Sequence, residues 1–175
     1  MQDGAYMVVG RYSGVSGTIL GNMTGRYADN VSPLRGPNYK PKVSQRVSHD
    51  FFKELFKKPI SKEQLLKEAS ETGLAEHNRV RALHKNTPPM VQGLAQTISA
   101  QAYAEKLVNE WTGSLLYSAN NDRPGQGELL AHNWEPTPTA ACKKATNQWY
   151  DEIKDYDYAK PGSATNTGNF TQVSY

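Results

Sequence analysis

Glu128 and Glu152 are the residues of this 175-residue chain that by type could share a reactive site. Paired carboxylates do general acid/base work when one is held protonated, and they hold a metal when imidazoles join them. Neither set is completed by its neighbours here. The four histidines, His49, His77, His84 and His132, show no H-E-x-x-H or other compact ligand spacing. His77 falls near Leu74 and Val80 on a helical pattern, the setting of a hydrogen-bonded structural histidine. Ser114, Ser118 and Ser163 lack the context of a nucleophile elbow, which leaves an acyl-transfer reading without support. Cys142, the single cysteine, lies near an expected helix start between Ala141 and Lys143, and a lone cysteine there is ordinarily a small apolar filler. Two glutamates without a placed base or metal are expected to be hydrogen-bonded, not catalytic.

The elements that must position this pair can be read from spacing. Ala141, Ala145, Trp149 and Glu152 recur at steps of three and four, so one helix face is small, then aromatic, then carboxylate. Pro138 suits the first turn of that helix, and Pro161-Gly162 cannot continue it. Asn169-Phe170-Thr171-Gln172-Val173 alternates and is β-prone, which predicts a strand returning a polar side chain toward Glu152. Gly125 and Gly127 precede Glu128, and Leu129 to Ala131 form a short apolar run.

Upstream, Ser61-Lys62-Glu63-Gln64 reads as a capping box opening a helix through Leu65, Leu66 and Ala69. Thr72-Gly73 is expected to interrupt that helix, the pattern resumes through Leu83, and Pro88-Pro89 stops it. A further helix is predicted from Leu94 to Trp111, with Ala100, Ala104 and Leu107 on one face. The N-terminal run AYMVVGRY reads as a strand that needs a sheet to join. Between it and Ser61 lies a Pro/Lys/Arg-rich stretch in which Phe51, Phe52, Leu55 and Phe56 form one helical stripe. Phe51, Phe52, Phe56, Lys57 and Lys58 are the candidate contacts with an anionic membrane surface, the alternative being that the stripe packs on the protein itself. The class is α+β, with helices packed on a small antiparallel sheet.

Composition sets the bounds. A chain of this length supports one domain with a core plus an appendage. Mean hydropathy of −0.71 makes it polar overall. A net charge of +3 lacks the concentrated basic face expected of a nucleic-acid binder. One cysteine excludes an internal disulfide framework and a Cys-rich zinc site. No leader-like run and no stretch of transmembrane length stand in the sequence, so an intracellular location is the expectation from the chain as written.

The succession LAEHNRVRALHKNTPPM, AQAYAEKL, GQGELLA, QWYDEIKDYDYAKPG and GNFTQV resembles the CAP superfamily of cysteine-rich secretory, antigen 5 and pathogenesis-related proteins. The likeness is strongest to its intracellular, disulfide-free, Golgi-associated branch and covers roughly residues 62–175. It implies an α-β-α sandwich, a cleft lined by two histidines and two glutamates that holds zinc in several members, and binding of sterol, lipid or protein without turnover. Carried onto this chain, the acids fall on Glu128 and Glu152. The imidazole positions fall on Tyr117 and Asn169. Amide and phenol are poor zinc ligands at neutral pH, so the tetrad is expected to be metal-free and without cofactor, with Tyr117 and Asn169 able to donate hydrogen bonds to the acids.

The family pattern continues past FTQV into further strands, and DGAYMVVGRY resembles the last of these. Three segments follow as expectations. Residues 1–35 read as the tail of a preceding CAP-like domain, 36–60 as a basic linker with an amphipathic helix, and 61–175 as a CAP domain lacking its last strands, together a fragment of a tandem protein. The N-terminal strand is expected to complete the sheet, or else the open edge to recruit another chain. The expected partners are lipid or sterol, an anionic membrane, a protein or a second copy, and not nucleic acid. The alternatives are a carboxylate-dependent hydrolase and a scaffold assembling through the sheet edge. The resemblance places the chain at a Golgi or cytoplasmic membrane face, or outside the cell if a leader lies upstream.

Overall fold

Strand β1 (Gly4–Ser13) is the central strand of an antiparallel sheet in the order β2-β1-β3, between β2 (Leu20–Tyr27) and β3 (Gln126–Glu135). The computed structural model describes residues 4–13, 20–27 and 61–174. The sequence of β1 accounts for its place. An almost unbroken apolar and aromatic run needs cover on both faces, and residues 5–12 are all buried. Tyr6, Val8 and Tyr12 point to one helical layer and Met7 and Val9 to the other, the two-residue period of a pleated strand. Val8 and Val9 are both 0% exposed, and each such burial contributes about 2 kcal/mol.

On the first side lie α1 (Lys62–Arg81) and α3 (Pro138–Tyr150). Ala69 and Val80 of α1 and Ala141, Cys142, Ala145 and Trp149 of α3 pack on Leu129 and Ala131 of β3, with Val173 of α4 (Gly168–Ser174) closing the cluster. On the second side α2 (Leu94–Asn109) sets Ala100, Ala104 and Leu107 against Met7, Val9 and Leu130. Small residues on the helices let their backbones approach the sheet closely. The result is an α+β fold with helices on both faces of a small sheet.

Local signals explain most boundaries. Ser61 Oγ accepts from Gln64 N at 3.1 Å to open α1, and Thr137 Oγ1 accepts from Ala140 N at 3.1 Å to open α3, with Pro138 in the first turn. Three sequence expectations are corrected. Helix α1 runs unbroken through Thr72-Gly73, because Gly73 is buried and its carbonyl accepts from His77 Nδ1 at 2.8 Å. That packing outweighs the ~1 kcal/mol helical cost of glycine. Strand β3 is ten residues long, not a short run from Leu129, because β1 pairs with it from Gly4↔Glu135 to Ser13↔Gln126. The segment around Phe170-Thr171-Gln172-Val173 is the helix α4, not a strand. Its first amides are taken by Glu152, and Thr171 N and Oγ1 both donate to Thr167 O, so tertiary context overrides β-propensity.

The stretch 36–60, with the expected helix bearing Phe51, Phe52, Phe56, Lys57 and Lys58, lies outside the described residues. No described helix is long and apolar enough to cross a membrane.

Candidate ligand-binding cleft

Glu128 sits on β3 directly opposite Arg11 of β1. Arg11 Nη2 lies 2.8 Å from Glu128 Oε2, and the two side chains are 2% and 0% exposed. Ser118 completes the cradle, donating from its backbone N to Oε1 at 2.6 Å and from Oγ to Oε2 at 3.0 Å. Arg123 Nε stands 3.9 Å from Oε1, while its Nη1 donates to Gln126 O at 2.8 Å and braces the loop before β3. The Arg11 guanidinium lies over the Tyr103 ring, 5.3 Å from its centroid. Burial lowers the Arg11 pKa, and the Glu128 charge opposes that shift.

Glu152 has a different set of partners. It falls in a 3-10 turn (Asp151–Asp155) directly after α3, and its carboxylate caps α4. Asn169 N and Phe170 N donate to Oε2 at 2.8 and 3.0 Å, and Asn169 Nδ2 donates to Oε1 at 2.6 Å. A carboxylate on the free amides of a first helical turn is favourable through hydrogen bonding and through the peptide dipoles.

Of the four residues named from the sequence, Asn169 and Glu152 are therefore in direct contact. Tyr117 is 56% exposed. Its phenol makes no hydrogen bond to Glu128; the donors there are Ser118, one residue on, and Arg11. Tyr117 nonetheless feels both acids. Partial burial raises its pKa first, and Glu128 and then Glu152 raise it further. α4 meets β3 at Gly127, where a Cβ would fall 1.3 Å from Gln172 Nε2, so the absence of a side chain lets Gln172 lie against the strand beside Glu128.

This donor set does not fit zinc. A guanidinium occupies the face of Glu128 that a cation would need, an amide donor occupies Glu152, and no imidazole stands at either position. Among the described residues no group of three or more His, Cys, Asp or Glu is arranged around a common centre.

The remaining sequence candidates are structural. His77 is 0% exposed, with Nε2 2.7 Å from Tyr12 Oη and Nδ1 2.8 Å from Gly73 O and 3.2 Å from Thr146 Oγ1. Nδ1–H thus donates to the Gly73 carbonyl, and Nε2 accepts from the tyrosine. Burial is the main cause that lowers its pKa to about 4. Burial likewise pushes the Cys142 thiol up to about 12, which leaves it unreactive. His84 Nε2 is 2.9 Å from Tyr150 Oη and packs on Phe170.

The sequence reading missed Arg11 and Ser118. A signal for Arg11 existed, since an arginine inside a strand apolar on both faces requires a buried acceptor. Ser118 carried no such signal, because its role depends on where the loop before β3 folds back.

Two openings adjoin this framework. A cavity of about 280 Å³ lies between the end of α2 and the following loop, with Tyr103, Trp111, Leu116, Tyr117, Ser118 and Asp122 in its wall. A groove of about 340 Å³ lies between α1 and α2, where Leu66, Leu94 and Ile98 are flanked by Lys62 and Lys67.

A sandwich with one glutamate on a sheet strand and another capping a short helix has the frame of a CAP-type domain. The chain is 36% identical over 98 residues to Protein PRY2 of Saccharomyces cerevisiae, a match covering 56% of this chain and 26% of that protein. It is 35% identical over 100 residues to Golgi-associated plant pathogenesis-related protein 1 of Homo sapiens, covering 57% of this chain and 61% of that protein. Over a little more than half of its length the chain is thus similar to these two proteins, and it spans less than two thirds of the length of either. No family model matches it.

Proposed function

We propose that this protein is a non-enzymatic CAP module that binds a lipid-class ligand, sterol included, at a membrane surface. The observation that carries the ligand class is the α1–α2 groove. Leu94 and Ile98, one turn apart on α2, are 76% and 60% exposed beside Leu66. Apolar side chains held out to water suit an acyl or sterol body, and Lys62 and Lys67, paired with Glu105 and Glu71 and joined by Glu63, give the groove a mixed charged rim. The name of the human relative associates that protein with the Golgi, and a Golgi or cytoplasmic membrane face is the location we propose here.

The two alternatives draw less support. A hydrolase needs a carboxylate free to exchange a proton, and both acids are committed to two or more donors. A scaffold joined through the β3 edge needs unsatisfied backbone, and the Gln126 and Leu130 carbonyls already accept from Arg123 Nη1 and Trp149 Nε1. Liposome flotation tests the proposal. The wild-type chain is expected to float with vesicles containing anionic lipid and sterol, and the Leu94→Glu/Ile98→Glu variant to remain at the bottom. A wild-type chain that stays down with every vesicle composition overturns it.

A further inference from the structure

The cavity at the end of α2 has a different chemistry from the groove. Three aromatic side chains, Tyr103, Trp111 and Tyr117, share its wall with Glu110, Asp122 and Lys106. The charged side chains in the wall thus sum to −1, two carboxylates against one ammonium. The Tyr103 ring is fixed, its hydroxyl donating to Leu116 O at 2.6 Å, and the Trp111 ring packs on His132 with centroids 4.8 Å apart. Aromatic faces held in place beside carboxylates attract a weakly hydrated organic cation through the ring quadrupole and the nearby charge. An acyl chain would gain little in a wall that is half polar, and an inorganic cation would keep its water in preference to ring faces. Burial raises the Tyr103 pKa first, and Glu128, Asp122 and Glu110 raise it further, against Arg11.

We propose that this cavity binds the trimethylammonium group of a choline phosphate, with Trp111 and Tyr117 against the methyl groups, Glu110 and Asp122 balancing the charge, and Lys106 meeting the phosphate. The volume of about 280 Å³ accommodates such a headgroup but not a lipid body. The site deepens the lipid reading and rests on it only for the source of the ligand, which is either a choline phospholipid headgroup or the free choline ester.

The test is calorimetry on the full chain with four probes: choline phosphate, tetramethylammonium, ethanolamine phosphate and inorganic phosphate. Saturable heat is expected with choline phosphate and, more weakly, with tetramethylammonium. Ethanolamine phosphate should bind roughly tenfold less tightly, since its ammonium stays hydrated. Tyr117→Leu and Glu110→Gln, both at exposed positions, should each weaken choline phosphate several-fold with the melting temperature unchanged. Equal binding of the ethanolamine and choline esters, displacement by inorganic phosphate alone, or no heat with any probe overturns the site.

Flotation on phosphatidylcholine against phosphatidylethanolamine vesicles then separates the two sources. A preference for phosphatidylcholine that Tyr117→Leu removes supports the headgroup. Choline phosphate binding without flotation supports this site with a soluble ligand and counts against the membrane reading.

Discussion

Glu128 and Glu152 are held in opposite ways. Glu128 is buried between strands and meets a full positive charge, the guanidinium of Arg11. Glu152 is partly buried and meets only neutral donors, two backbone amides and the Asn169 side chain. The first arrangement is an ion pair whose partners lie far apart in sequence, so it couples β1 to the rest of the fold. The second ties a turn to the helix that follows it. A carboxylate can therefore be held either by charge or by geometry, and the two differ in what happens when the partner is removed.

The sharpest way to break the contrast is to remove the cation. Arg11→Met leaves the buried Glu128 with only Arg123 Nε, at 3.9 Å, as a positive neighbour, and the expected loss is about 3 kcal/mol in urea unfolding. Adding Glu128→Leu should recover much of that loss, because replacing both members of a buried pair is often close to neutral. If Arg11→Met alone costs no more than an exposed substitution, the pair contributes nothing and the contrast fails.

Acid stability sharpens it from another side. His77 is neutral in the folded protein, with a pKa lowered to about 4 by burial from the usual 6.5. Between those values the unfolded chain binds the extra proton and the folded one does not, so stability falls as pH drops through this window and is fully present above it. The shift corresponds to about 3 kcal/mol. His77→Gln should flatten the limb between pH ~6.5 and ~4. A limb unchanged in that variant would assign the acid sensitivity to the carboxylates instead.

Removing the charge at the second glutamate should do less. Glu152→Gln keeps one acceptor oxygen for α4 but sets an amide nitrogen against donors, at a cost of about 1 kcal/mol. Hydrogen exchange at Asn169 and Phe170 should rise while β1 amides stay protected. Equal loosening of β1 would mean that the two carboxylates are one coupled network.

Legibility in the sequence followed the range of the interaction. The caps at Ser61 and Thr137, the apolar and aromatic run of β1 and the small face of α3 are local, and each could be read from neighbouring residues. The strand expected at Phe170 failed because what makes it helical is Glu152, 18 residues away. The interruption expected at Gly73 failed because burial against the core outweighs propensity. That the apolar run of β1 needs a sheet was legible, but its central place and Arg11 opposite Glu128 depended on a pairing register that no local pattern supplies. Asn169 came into view through family resemblance, and its contact with Glu152 depends on the turn that brings α4 back to α3.

The smallest expected effect concerns zinc, where the two carboxylates should behave alike despite their different partners. Glu128 would have to give up a guanidinium at 2.8 Å and Glu152 an amide at 2.6 Å, and neither exchange gains an imidazole. Zinc is therefore expected to leave the melting temperature of the wild-type chain unchanged and to give no saturable heat. Tyr117→His/Asn169→His restores the nitrogen ligands but leaves Arg11 on Glu128, so its affinity should remain weak. Stoichiometric submicromolar binding by the wild type would show that the guanidinium yields to a metal, and charge and geometry would then no longer distinguish the two sites.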